Sequence, residues 1–408
     1  MLFSSINPAT PKQSLDSIMT LIIDLKFSSL TISQCDETKP SCLKCVAGEL
    51  RCPYLDEPSL PQTPASLPSP SPPIYAPTPS SSSNAESTIE SFASLSAHGP
   101  FHGLLNMAHL ELFHHISTTP FVFAIYELHD DASYGIMQAT VQCALQAPYL
   151  MHELLSFAAL HFALLYPSNA ESWRHQSTEL QTYALSLFNN KNPDEQESFI
   201  PSFLFASMLG THLLHEAVTS TALDFGPFLD RFVGYLSLSR GVRMQLTGTN
   251  WASLSNTPFH PLITIGDRIP NADTAHAPEL VDLENLLKAA DMSSSSLSTY
   301  LGVLNNLKAA YQAQSLFNTN KDSGSRATAR SAIFAWPILA SPEYTDLLTQ
   351  RRPEALAILA HYGVLLHWHR EIWIFGDGGR RLVEGVEQYL GGYWEKWLEL
   401  PRSVMMET

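Results

Sequence analysis

An all-α fold is expected from two observations. From His98 almost to the last residue, apolar side chains recur at three- and four-residue spacings, and runs that alternate apolar with polar residues are few. The first pattern gives a helix one apolar side, whereas the second would build a half-buried strand. A third observation sets the boundary of the helical part. Ten prolines lie between Pro53 and Pro79, followed by Ser80-Ser81-Ser82-Ser83-Asn84. Prolines withhold backbone donors and serines supply no core, so residues 55–97 read as a solvated, extended linker. It separates a small module at 35–54, preceded by an atypical and poorly ordered 1–34, from a helical domain at 98–408.

The helices follow in order. Gly103 to Ile116 carries Leu104, Met107, Leu110, Leu112 and Phe113 at mostly helical spacings. Pro148 suits the first helical position of a long segment running through Leu150, Leu154, Phe157, Leu160, His161 and Leu164 to Pro167. That segment is apolar nearly all round, so it belongs at the centre of the bundle. Ser168 to Phe188 is amphipathic, with Trp173, Leu180, Tyr183, Ala184 and Leu187 expected towards the core. Further helices are expected at about 200–217, 226–238, 278–290, 296–316, 326–335, 353–373 and 379–398. The stretch from about Thr247 to Ala277 has the weakest helical pattern. About ten helices make a multilayered α domain rather than a four-helix bundle, and no repeat of solenoid period is present.

Composition narrows the function. The chain has 408 residues, 45% of them apolar, enough for one large or two ordinary domains with a real core. With 23 basic and 39 acidic residues its formal charge is -16. Such a balance argues against a broad nucleic-acid or anionic-membrane surface, so any DNA contact must be local. The most apolar part of the first thirty-four residues, Ile18 to Leu25, contains Asp24 and is far too short to span a bilayer. No signal-peptide frame surrounds it, and no later stretch reaches about eighteen unbroken apolar residues.

Four of the five cysteines, Cys35, Cys42, Cys45 and Cys52, fall within eighteen residues, separated by six, two and six others. Thiolates two residues apart can face one ion across a tight turn, and longer gaps bring further ligands to complete a tetrahedron. The odd count and the compact run point to reduced, metal-binding thiols inside a cell rather than a disulfide scaffold. Cys143, alone in an apolar stretch, is expected to pack in the core.

The run Cys35-Asp36-Glu37, Lys39-Pro40-Ser41-Cys42-Leu43-Lys44-Cys45 and Cys52-Pro53-Tyr54 resembles the second portion of the fungal six-cysteine binuclear zinc cluster. That module is the DNA-binding part of a large class of fungal transcription factors, and Pro40 fits its characteristic loop proline. The resemblance implies thiolate-bound zinc, a nuclear location and regulation of transcription by RNA polymerase II, with a short helix reading the major groove. The match begins abruptly at Cys35. The family's first two cysteines and the basic residues that touch DNA have no counterpart in Thr31-Ile32-Ser33-Gln34 or before. Lys39, Lys44 and Arg51 remain, offset by Asp36, Glu37 and Glu49. Sequence-specific DNA binding is therefore not expected of the chain as written. A gene-model error at the first exon would account for the abrupt start, and the transcript's 5′ end decides that point. The four thiols are read either as one mononuclear zinc site or as a metal-free remnant.

The helical part carries a second resemblance. Ala147-Pro148-Tyr149 through His161, His175-Gln176 and Ala184 to Phe188 look like the regulatory domain of zinc-cluster factors of the sterol uptake control protein type. So do Phe228-Leu229, Ser239 to Val242, Arg352 to His367, Trp373, Gly376, Leu382 and Trp394 to Pro401. This likeness implies an all-helical regulatory domain, not an enzyme. The partners expected are DNA where the cluster is complete, a hydrophobic effector and a second copy of the chain. The alternative is a helical effector- or partner-binding regulator that does not bind DNA.

Sharper chemistry fails on spacing. Glu111-Leu112-Phe113-His114 has the form of a di-iron helix but lacks a second copy, and His152-Glu153 begins like a zincin helix without the second histidine. His361, His367 and His369 do not share one face, no Gly-x-Ser-x-Gly elbow is present, and Gly376-Asp377-Gly378-Gly379 reads as a turn. Trp368, Trp373, Trp394 and Trp397 are expected to pack, with an effector pocket as the minority reading.

Overall fold

The computed structural model describes residues 106–119, 130–191, 199–219, 225–245 and 253–407. Cys35, Cys42, Cys45, Cys52, Lys39, Lys44 and the linker lie outside the described residues. Among those that are described there are helices and turns and no strand, as the periodicity implies.

The chain forms α1 (Met107–Thr118), α2 (Asp130–Gln146), α3 (Pro148–Leu165), α4 (Ala170–Asn189), α5 (Phe199–Thr219) and α6 (Phe225–Gln245). There follow α7 (His260–Gly266), α8 (Val281–Ala289), α9 (Ser294–Asn320), α10 (Ser323–Leu339) and α11 (Pro342–Thr349). The last are α12 (Pro353–Trp368), α13 (Gly378–Leu390) and α14 (Glu399–Met406). Local chemistry sets many of the boundaries. Asn106, Ser293, Asp322 and Ser341 cap α1, α9, α10 and α11 by accepting a backbone N–H three residues on. Pro148, Pro342 and Pro353 occupy the first helical position, where the missing donor costs nothing. Between α9 and α10, Lys321 takes a left-handed conformation at φ 54° and ends the longer helix.

Two helices form the interior. Around α3 pack α1, α2, α4 and α5; around α12 pack α9, α10, α11, α13 and α14. The α5–α6 pair joins the two groups, α5 touching α3 and α13 while α6 touches α10 and α11. Every residue from Ala355 to His367 is buried, which explains why α12 carries almost no polar side chain. Of the described helices, α3 alone is long and apolar enough to cross a membrane by composition, yet 67% of it is buried against its neighbours, as a core helix would be.

Several boundaries differ from the sequence expectation. The helix expected at 353–373 stops at Trp368, and turns over residues 369–377 fold Ile372, Ile374 and Phe375 into the core. The helix expected at 379–398 breaks at Gly391, whose φ of 71° suits a residue without Cβ, and continues as a 3-10 segment from Gly392 to Leu398. Helices α2, α11 and α14 were not expected, and α7 falls in the stretch with the weakest pattern. On α4, Tyr183 is half exposed against the edge of His152 rather than in the core. On α1 the inward stripe is Leu112 and Ile116, while Met107 and Leu110 are exposed.

The α12–α13 crossing depends on small residues. A Cβ on Gly379 would lie 2.4 Å from the His367 nitrogen and 2.5 Å from the Gly363 oxygen, both backbone atoms that cannot rotate away. Gly379→Ala is expected to cost about 3 kcal/mol, at the upper end of overpacking. Urea unfolding would check this; a change near zero would show that the helices are not this close.

Candidate functional site

One cluster of buried ionisable groups lies where α3 meets α5. Glu153 is the one acid in the apolar run from Tyr149 to Leu165, and it is fully buried. His212 of α5, 1% exposed, places Nδ1 3.4 Å from Glu153 Oε1 and Nε2 3.5 Å from Glu216 Oε1. Burial alone would push the His212 imidazole down, but the carboxylates of Glu153 and Glu216 outweigh it and raise the group to about 9. His212 is therefore an imidazolium held between two carboxylates at neutral pH.

One turn along α5, His215 behaves in the opposite way. Its Nδ1–H donates to the Ile374 carbonyl at 3.0 Å, and burial pushes its pKa down to about 4. The Trp373 ring lies against it at 5.3 Å and against Phe157 and His161 of α3 at 5.0 Å each. His161 shares a 2.9 Å hydrogen bond between its Nδ1 and His115 Nε2 of α1. Burial and the neighbouring His115 and His215 push His161 down to about 4, so it is neutral. Thus Trp373 closes a mostly neutral aromatic and histidine cluster beside the charged pair. A neutral cluster of this kind packs and donates; it holds no activated nucleophile.

The other candidates resolve as packing. Glu111 and His114 face solvent, and His152 Nδ1–H donates to its own helix at Pro148 O, 2.8 Å away. His361 does the same to Ala357 O at 2.8 Å, and burial pushes it down to about 4. His369 Nε2–H donates to Gln314 at 2.7 Å. Cys143 is half buried and packs against the core, where burial pushes its thiol up. Trp368 meets Tyr311 edge to face at 5.4 Å, and Trp394 and Trp397 lie 5.0 Å apart, both partly buried. Gly376, at φ 44°, and Asp377 form the turn that starts α13. Among the described residues no group of three or more His, Cys, Asp or Glu is arranged to hold a metal.

No family model matches the chain. A protein of Gibberella zeae named as a Zn(2)-C6 fungal-type transcription factor is 25% identical over 277 residues, covering 62% of this chain and 52% of its own length. The chain thus spans about half the length of that relative. The likeness supports kinship with fungal zinc-cluster regulators at the level of the family, in agreement with the cysteine spacing.

Sequence reasoning passed over Glu153, Gln181 and His212 as a group. The available signal was an isolated acid in an otherwise apolar helix. A carboxylate placed there must find a cation or hydrogen bonds inside the core, and His212-x-x-His215-Glu216 on another apolar helix was the candidate partner.

Proposed function

We propose that this chain is a transcription regulator of the fungal zinc-cluster kind, of the sterol uptake control protein type, acting in the nucleus on RNA polymerase II promoters. The observation that carries the reading is the likeness to the Gibberella zeae protein, whose name agrees with the cysteine run read independently from the sequence. Residues 98–408 are assigned as the all-helical regulatory domain and 35–54 as the partial cluster, joined by the 55–97 linker. Cys35, Cys42, Cys45 and Cys52 are the zinc ligands in this reading, and Lys39 and Lys44 the local DNA contacts. Four thiolates fit one tetrahedral zinc at about 2.3 Å per bond. The regulatory domain would take a hydrophobic effector or a second copy of the chain, and no catalysis is assigned to it.

A second reading is favoured by one specific observation. The first cysteine pair and the basic residues beside it have no counterpart before Cys35, and the remaining bases are offset by Asp36, Glu37 and Glu49. On that reading the chain is a helical regulator that binds an effector or a partner without reading DNA. The two separate in one experiment on the full chain: zinc per chain by mass spectrometry, with selection from a random duplex library. Stoichiometric zinc that Cys42→Ser removes, together with nanomolar-range specific binding, is the expected result for the first reading. A folded chain without either supports the second.

A further inference from the structure

We infer that Glu153, Gln181 and His212 form a buried binding site for an ordered water molecule at the junction of α3, α4 and α5. Two contacts bracket the layer in which they lie. At one end Ser156 Oγ donates to Ser177 O at 2.7 Å; at the other, Tyr149 and Phe188 meet edge to face at 5.1 Å. Through these crossings α3 and α4 run antiparallel. Glu153, three residues before Ser156, and Gln181, four after Ser177, are neighbours of those contacts on the same helix faces and fall between them. From α5, Phe205 closes the far end against Tyr149 and Phe188 at 5.3 and 4.7 Å. Two turns further on, His212 reaches Glu153.

The polar atoms of this layer are not matched to one another. Both carboxylate oxygens of Glu153, both amide atoms of Gln181 and Nδ1 of His212 are buried without a hydrogen-bond partner. Glu153 and Gln181 are 0% exposed and His212 1%, so bulk solvent does not serve them. At 3.4 Å the Glu153–His212 approach balances charge without making an aligned hydrogen bond. Native interiors satisfy such groups with ordered water, each molecule making about three hydrogen bonds.

Stoichiometry and charge both select water. The layer offers acceptors in the Glu153 carboxylate and the Gln181 carbonyl oxygen, and donors in the Gln181 amide and His212 Nδ1–H. A molecule that donates twice and accepts twice matches both kinds. An ammonium ion of similar size would add a charge where the Glu153 carboxylate already faces the His212 imidazolium, and it could accept from neither donor. A water here would tie three helices together through groups that no pair of them satisfies alone.

Oxygen-17 and deuterium relaxation dispersion on the full chain counts long-lived internal waters. Gln181→Met keeps most of the side-chain volume and removes both amide atoms, and it is expected to lower the count by about one. An unchanged count in a folded variant overturns the proposal. Should the variant fail to fold, a crystal structure of the unaltered chain decides. Solvent density within hydrogen-bonding distance of both Glu153 and Gln181 supports the site. A direct Gln181–Glu153 hydrogen bond with no solvent between them overturns it.

Discussion

His212→Leu is expected to destabilise the helical domain by about 3–5 kcal/mol at pH 7, the range for removing one partner of a buried ion pair. The cause lies less in the lost attraction than in what remains. Glu153 is fully buried, and His212 is the basic group paired with it among the described residues, so removing the imidazole leaves a buried acid without that partner. The double variant Glu153→Leu/His212→Leu removes the fully buried pair and is expected to lie closer to the unaltered protein, because packed apolar groups replace the desolvated charges, with a residual loss from the Gln181 amide that stays buried. Urea unfolding of the three proteins tests this ordering; a single variant no weaker than the double would refute the ion pair. The pH dependence gives an independent reading. His212 titrates at about 9 in the fold against an ordinary value of 6.5. A raised pKa means the folded state holds the proton more tightly, so the stabilisation is complete below 6.5 and is lost as pH rises through 9. His212→Leu should lack that alkaline loss.

The all-α class was legible because its cause is local: apolar residues at helical spacing need only their own segment to be recognised. The same reasoning placed α3 correctly, since a helix apolar on every side has nowhere to lie but the interior; the burial of α12 follows the same physics but is seen only in the fold. It failed where tertiary packing overrode the local pattern. After His369-Arg370-Glu371 the apolar pattern resumes at Ile372 to Phe375, yet Ile372, Ile374 and Phe375 reach the core through turns rather than a helix. Helix α2, with Asp130, Asp131 and Gly135 in its first half, has a weak apolar stripe and owes its place to α3 and α5. The site was less legible than the fold. Glu153 and His212 are 59 positions apart, and only the pairing of α3 with α5 brings them together. The cysteine run worked the other way: its spacing is a local signal for metal, and it points to a family without any tertiary knowledge.

Trp336→Ala is expected to cost about 3–5 kcal/mol, the range for deleting a buried aromatic side chain. Trp336 of α10 is 1% exposed and stacks on Tyr362 of α12 with 4.4 Å between ring centroids. Tyr344 of α11 meets it edge on at 5.9 Å, and its Nε1–H donates to the Val303 carbonyl of α9 at 3.3 Å. One side chain thus joins four helices. The surrounding tyrosines cannot collapse into the gap, because Tyr344 donates to Ala355 O at 3.0 Å and Tyr362 to Ile333 O at 3.2 Å. Closing the cavity would break those bonds among buried groups, so the cavity should persist and the loss should sit near the upper end. Trp336→Phe keeps a ring against Tyr362 and gives up the Val303 bond and part of the volume, and it should fall between the alanine variant and the unaltered protein. Urea midpoints and slopes for the three provide the test. A loss near 1 kcal/mol for the alanine variant would mean that α10 and α12 do not meet through this stack.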